Sequence, residues 1–403
     1  MECAPCSPPS TTGKHESGKD SALIYLDNNA TTPLHPRVLD SMMPFLRDCW
    51  ANPSSPYRFG HQARDAMEKA RERIAKRVGC KTTELVFCSS GTESDNIAIR
   101  GVAHALSSKG GHIITSTIEH PAVLDTCKAL ERDGFRITRL PVNRDGLVDV
   151  AMLEASLCNE TILVSVMHAN NETGAIQPIE KIAAITKKRG ILFHTDAVQS
   201  TGKLPLHFDG LGADLITFSG HKLHGPKGIA ALFVRTGTPL APVISGGGQE
   251  RGLRAGTEHV AGIAGLAEAV DMAFEEQEPE NRRIGLLRDR LEKQITASIK
   301  DTRINAVHAP RIPNTSNICF HGIDGESVVL GLDVLDICAS TGSACSTGDP
   351  EPSHVLLAMG LSRREAQGAV RFSLGRDTKE DDVNTVVQAL SGIVSRLRSI
   401  SSL

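Results

Sequence analysis

Between residues 85 and 234, short strand-like runs, most of them apolar, and amphipathic stretches take turns, and few folds tolerate that rhythm. The runs fall at 85–88, 112–116, 136–140, 161–167, 191–193, 215–218 and 229–234. Helix-like stretches at 93–106, 122–132, 150–157 and 179–188 separate most of them. A strand with one wet face alternates polar and apolar residues; these runs do not, so both faces should be covered. The intervening stretches are long enough to return the chain to the start of a parallel neighbour. The pattern predicts an α/β fold with a mostly parallel seven-stranded sheet covered by helices. Ligands in such sheets bind beyond the carboxyl ends of the strands. Polar clusters stand at those ends: Ser89-Ser90-Gly91-Thr92, Glu119-His120, His168 to Glu172, His194-Thr195-Asp196 and Ser219 to Lys222.

The flanks read differently. Residues 21–27 suggest a short strand, 28–33 a turn, and 37–47 and 60–78 helices. In the second helix Ala63, Met67, Ala70, Ile74 and Val78 recur at helical spacing. A further helix is expected at 257–274, and the acidic, proline-bearing stretch from Glu275 to Glu280 marks a boundary. Beyond it, helices at 283–295, from Gly325 and from Lys379 mix with strand-like 316–320 and 335–339. That is a smaller α+β domain.

Charge and composition narrow the class. The 403 residues carry a net charge of -3 with both signs mixed, which is no signature of nucleic-acid binding. No apolar run approaches the roughly 20 residues that span a bilayer. The first residues lack a positive-then-apolar signal and contain acids that transit peptides avoid, so a cytoplasmic protein is expected. The ten cysteines are scattered and read as reduced thiols. Cys3 and Cys6 form a CxxC pair in a Ser/Pro-rich tail. With no second pair, the reading is neither metal nor redox site.

Several residues are candidates for chemistry. Lys222 sits in the polar turn Ser219 to Gly228 between two apolar runs, where a lysine serves either as a covalent amine or as an ion pair in a surface turn. Ser89 to Ser94 joins a strand to a helix, which suits a phosphate or merely a helix cap. Asp196 ends a strand and could pair with a protonated ring nitrogen or simply brace a loop. His120 precedes Pro121 and could stack on a flat ring or cap a helix. The histidines at 221 and 224 lack a matching third ligand, so no zinc site is expected. Cys345 lies in a loop of small residues, 340–350, unlike Cys88, Cys127, Cys319 and Cys338, which have apolar company. It fits an exposed nucleophile that moves. Arg371 could offer a fork to a carboxylate or form an interdomain salt bridge.

Taken together, YLDNNATTP, NPSSPYRFG, SSGTESDN, IEHPAV, HANNETGAIQPI, HTDAVQSTGK, FSGHKLHGPKG, GGGQERGLRAGT, STGSACS and VRFSLGR resemble the cysteine desulfurases of the NifS/IscS type. These belong to the class V aminotransferase group of fold-type I pyridoxal-phosphate enzymes. The likeness runs from Tyr25 to about Asp377. It implies pyridoxal 5'-phosphate held covalently by Lys222, with Asp196 on its ring nitrogen, His120 on its face and Gln199 on its ring oxygen. It implies Thr92, Ser219 and His221 on the phosphate, and Thr257 reaching the phosphate of the neighbouring subunit in a homodimer. Asn170 and Arg371 would hold the substrate carboxylate. Cys345 would take sulfur from L-cysteine, releasing L-alanine, and pass it to an acceptor such as an iron–sulfur scaffold protein. His120 would carry the proton of the substrate thiol. The implied layout is a disordered tail at 1–20, a segment at 21–34 joining the small domain, a large cofactor domain at 35–271, and a small domain at 272–403 bearing the cysteine loop. A selenocysteine lyase is the nearest alternative. An ordinary aminotransferase or kynureninase-like lyase needs no loop cysteine, and an inert scaffold needs neither Lys222 nor Cys345.

Overall fold

The computed structural model describes residues 23–341 and 352–400. The tail expected at 1–20, Cys3, Cys6 and Cys345 lie outside the described residues. Strand β1 is Ile24–Tyr25, and the seven expected strands follow: β2 (Leu85–Cys88), β3 (His112–Ser116), β4 (Arg136–Leu140), β5 (Thr161–Ser165), β6 (Leu192–Asp196), β7 (Leu215–Ser219) and β8 (Ala230–Val234). They form one sheet in the order β2-β8-β7-β6-β5-β3-β4. The pairs from β7 to β4 are parallel. Strand β8 runs against both of its neighbours. Only the turn 220–229 separates it from β7, too few residues for a crossover helix.

Neighbouring residues on the strands feed two opposite cores. Ile113, Leu163, Leu215 and Leu232 join one, under the helices Gly91–Ala105 and Pro121–Arg132. Ile114, Val164, Ile216 and Phe233 join the other, under Arg58–Val78, Ile179–Arg189 and Val260–Glu275. Side chains alternate across a strand, so runs apolar at every position require apolar partners on both sides. Each such side chain contributes about 1.5–3 kcal/mol of burial. Strand β4, with two arginines and partly exposed residues, takes the sheet edge.

A second core forms around an antiparallel sheet of β9 (Thr302–Ile304), β10 (Thr315–Phe320) and β12 (Ala369–Ser373), in the order β12-β10-β9. A short strand β11 (Ile337–Cys338) pairs with β1. Ile318, Phe320, Val370 and Phe372 pack against Leu287, Leu291 and Ile295 of Gln277–Ser298 and against Val383, Val386, Leu390 and Val394 of Glu380–Ile400. Leu26 joins this core. The stretch read as a boundary at 275–280 is almost continuous helix. Val260–Glu275 and Gln277–Ser298 meet at Glu276, and Pro279 falls in the first turn, where its missing N–H has no partner to lose. Among the described residues no helix is long and apolar enough to cross a membrane.

Candidate active site

A cavity of about 480 Å³ opens at the carboxyl ends of β6 and β7. Lys222 enters it from a single 3-10 turn, Gly220–Lys222, that leaves the end of β7. The turn closes because Gly220 N–H donates to the Ile229 carbonyl and Gly225 N–H to the Gly220 carbonyl. A Cβ at Gly225 would stand 2.7 Å from that same carbonyl oxygen, so the turn needs glycine there. Lys222 Nζ donates to the carbonyls of Asn29 and Ala30, each at 2.6 Å. Burial, and then the nearby charge of Arg371, lower its pKa to about 8.

Asp196 faces the same space from the end of β6. Its Oδ1 accepts from Val198 N–H at 2.9 Å, and burial raises its pKa. Asp95, also in the lining, is raised well above the usual carboxylate range by burial and then by Asp196. His194 Nε2 lies 3.5 Å from Asp95 Oδ1 beneath the cavity floor. His120 is the N-cap of Pro121–Arg132; its Nδ1 accepts from Ala122 N–H at 3.1 Å, and burial lowers its pKa. With Nδ1 accepting, the ring proton sits on Nε2, which can donate into the cavity. Gln199 lines the cavity too, its Nε2 donating to the Asn29 carbonyl at 3.1 Å.

One end of the cavity meets the start of helix Gly91–Ala105. Ser90 caps it, accepting from Glu93 N–H at 3.1 Å, and Arg254 holds the Glu93 carboxylate at 2.9 Å. The first N–H groups of a helix have no partner within it and attract an anion. Gly91 and Thr92 put that end into the lining, beside His221 and Ser219. Ser219 Oγ is buried without a hydrogen-bond partner among the described residues. Burial lowers the pKa of His221 to about 4. An amine, a buried carboxylate, a flat histidine and a helix N-terminus beside the unpartnered Ser219 hydroxyl are the parts pyridoxal phosphate requires, and they fit it.

At the other end stands Arg371, from the middle of β12. Its Nη2 meets Asp27 Oδ1 at 2.7 Å, its Nη1 donates to the Asn171 carbonyl at 3.1 Å, and its Nε is buried with no partner among the described residues. Asn170 is not in the lining. Its side chain is committed inside its own turn, donating to the Ile118 carbonyl and accepting from the N–H groups of Glu172 and Thr173. The next residue, Asn171, lines the cavity instead. Thr257 is exposed, in the segment before Val260–Glu275, and is not in the lining. Thus Thr92, His120, Asp196, Gln199, Ser219, His221, Lys222 and Arg371 converge, Asn170 and Thr257 do not, and Cys345 lies outside the described residues. Sequence reasoning missed Asn29 and Asp95, although Asn29 lies in the stretch it singled out as a turn and Asp95 directly follows the phosphate-loop candidate Ser89 to Ser94.

A sheet end that offers a turn lysine, a strand-end carboxylate and a helix N-terminus defines a class, and the comparisons agree with it. The family model described as Aminotransferase class-V matches residues 24–386. The chain is 49% identical to "Cysteine desulfurase IscS" of Dictyoglomus turgidum, over 94% of this chain and 96% of that protein. It is 49% identical to "Cysteine desulfurase" of Trichormus azollae, over 94% and 95%. A solved structure described as "NIFS-LIKE PROTEIN" superposes with a TM-score of 0.88 at 40% identity, covering 93% of this chain and 100% of that one. The chain belongs to the class V aminotransferase family and, within it, to the cysteine desulfurases of the NifS/IscS type. Enzymes of this family depend on pyridoxal phosphate.

Proposed function

We propose that this chain converts L-cysteine to L-alanine and keeps the sulfur as a persulfide on Cys345, for an acceptor such as an iron–sulfur scaffold protein. The observation that carries this reading is the convergence of Lys222, Asp196, His120 and Arg371 on one cavity whose lining also includes Ser340. From Ser340 to Cys345 is five residues, a reach of up to about 17 Å.

Lys222 would hold pyridoxal phosphate, Asp196 its ring nitrogen, Gln199 its ring oxygen, and Thr92, Ser219 and His221 its phosphate. Bound there, the group supplies an electron sink for the substrate carbons. Arg371 is preoriented by Asp27 and Asn171, and its open Nε would complete a fork on the substrate carboxylate. Asn171, not Asn170, would stand beside it. His120 would carry the substrate thiol proton on Nδ1 once that atom gives up the Ala122 N–H, because in the uncharged ring Nε2 already holds the proton. Lys222, with its pKa near 8, can hold or give up a proton close to neutrality. The Cys345 thiolate attacks the substrate sulfur. An S–S bond forms, the C–S bond breaks, and its electron pair stays with the carbon that becomes the methyl of alanine. The exposed position of Thr257 supports a homodimer in which it serves the partner copy's phosphate site. We further place the cofactor on residues 35–271 and the cysteine loop on 272–403, joined by 21–34, in a cytoplasmic protein.

Mass measurement of the Cys345 peptide after incubation with L-cysteine tests the reading. A gain of one sulfur with alanine released is expected. A cofactor-loaded protein that shows no such adduct would refute it.

A further inference from the structure

This inference rests on the reading above, in which Gln199 meets the ring oxygen of bound pyridoxal phosphate. A glutamine amide has two ends of similar shape and opposite chemistry, so its neighbours must decide which end points where. Gln199 Oε1 accepts from Lys203 Nζ at 3.0 Å, and Gln199 Nε2 donates to the Asn29 carbonyl at 3.1 Å. Turned over, its NH₂ would face an ammonium and its oxygen would face a carbonyl, and both bonds would be lost together. The observed orientation leaves the second N–H of Nε2 for the cavity.

Lys203 does not line that cavity. It lines a smaller one, of about 90 Å³, that shares Lys222 with the first. The Lys203 carbonyl accepts from Asn281 Nδ2 at 2.6 Å, which anchors its backbone to the helix Gln277–Ser298. Its ammonium also reaches Asn29 Oδ1 at 3.4 Å. Asn29 is a hub: its carbonyl accepts from Lys222 Nζ, and its Nδ2 donates to the Asn171 carbonyl at 3.0 Å and to Thr315 Oγ1 at 2.8 Å. Burying an ammonium without a carboxylate is costly. Here its hydrogen-bond partners among the described residues are two side-chain amide oxygens.

We propose that Lys203 is a positioning residue: it locks the Gln199 amide with its N–H toward the bound cofactor and, through Asn29, ties that donor to the turn presenting Lys222. Burial, with the charges of Lys222 and Arg371 nearby, brings the pKa of Lys203 to about 7. Both protonation states can donate an N–H to Gln199 Oε1; the neutral amine can also accept, and in that state the Asn29 carbonyl keeps the amide from turning over.

The test uses the full chain as wild type, K203M, K203R, Q199A and the K203M/Q199A double variant. Methionine keeps most of the lysine volume and removes its donors. The readouts are the dissociation constant of pyridoxal phosphate and the pH midpoint of its visible absorbance on the protein. K203M and Q199A are each expected to weaken binding about tenfold and to move the midpoint in the same direction. The double variant should be no worse than Q199A alone, and K203R should stay within about twofold of wild type. Wild-type affinity and midpoint in K203M, or single effects that add in the double variant, overturn the proposal. A wild-type chain that takes up no pyridoxal phosphate overturns the functional reading itself, and this inference with it.

Discussion

Removing the Arg71 guanidinium should cost more than any other single charge deletion away from the cavity. Arg71 and Glu250 are both buried, with side-chain exposures of 3% and 2%. They meet through two bonds, Nη1 to Oε2 at 2.9 Å and Nη2 to Oε1 at 2.7 Å. Arg71 Nη1 also donates to the Leu85 carbonyl at 2.8 Å, and the guanidinium lies 4.4 Å from the Phe87 ring centre. Burial opposes the arginine's charge, but the bonds and charge of Glu250 outweigh it, and the pKa is raised. In R71M the Glu250 carboxylate keeps, among the described residues, the Phe87 N–H at 2.8 Å as its hydrogen-bond donor. Stranding a buried charge this way costs about 3–5 kcal/mol. E250Q removes the opposite partner yet leaves Arg71 with Glu68 and the Leu85 carbonyl, for about 1.5–3 kcal/mol. The double variant R71M/E250Q should recover part of the sum, with a coupling of about 0.5–3 kcal/mol. The assay is urea unfolding of all four proteins at saturating pyridoxal phosphate. The pair has a bearing on the site, because Glu250 begins the segment that carries Arg254 to Glu93 and then reaches Thr257. A loss below about 1 kcal/mol in R71M, or strict additivity in the double variant, would refute the reasoning.

Three further outcomes follow from the same geometry. N170A should lose stability by about 2–3 kcal/mol, since its amide closes a buried turn, whereas N171A should mainly raise KM for cysteine; urea midpoints and steady-state kinetics separate them. An amine reacts in its neutral form, so capture of pyridoxal phosphate by the cofactor-free protein should speed up with pH and level off above about 8; an unperturbed lysine would keep accelerating toward 10.5, and rapid-mixing absorbance decides between them. Glu119, with its pKa raised to about 8 first by burial, binds more protons folded than unfolded between its ordinary 4.5 and 8. Its contribution to stability is therefore lost as pH rises through that window, by up to about 1.4 kcal/mol per unit, and E119Q should flatten the slope of unfolding free energy against pH.

The large sheet was legible because each of its central strands is apolar on both faces, a demand that few other arrangements meet. The smaller one was harder. Strand β12 reads Ala-Val-Arg-Phe-Ser, and a charged residue in mid-strand looks like the end of an apolar run; yet Arg371 is buried because Asp27 and the Asn171 carbonyl receive it. Strand β9, Thr-Arg-Ile, is too short to leave a pattern. Lys222 and Asp196 were legible since strand ends in a parallel sheet are where ligands gather. Asn170 and Asn171 were not separable by residue type. What separates them is a turn in which Asn170 Oδ1 takes two consecutive N–H groups, a three-dimensional fact with no local signature beyond the asparagine itself.

The position of Arg371 ties two requirements of the proposed reaction to one strand. Ser340 N–H donates to the Arg371 carbonyl at 3.1 Å, and Arg371 N–H donates to the Ser340 carbonyl at 2.6 Å. The residue proposed to hold the substrate carboxylate is thus paired, backbone to backbone, with a residue close before the segment that bears Cys345. Asp27, which meets the guanidinium, also bridges to Ser373 on the same strand. A displacement of β12 relative to the large sheet would move the carboxylate anchor and the root of the cysteine segment together. The distance between them would be preserved, while the distance of both from Lys222 would change. Substitutions that loosen the packing of β12 should accordingly impair capture of the whole substrate, because the carboxylate anchor and the root of the cysteine segment at Ser340 travel as one.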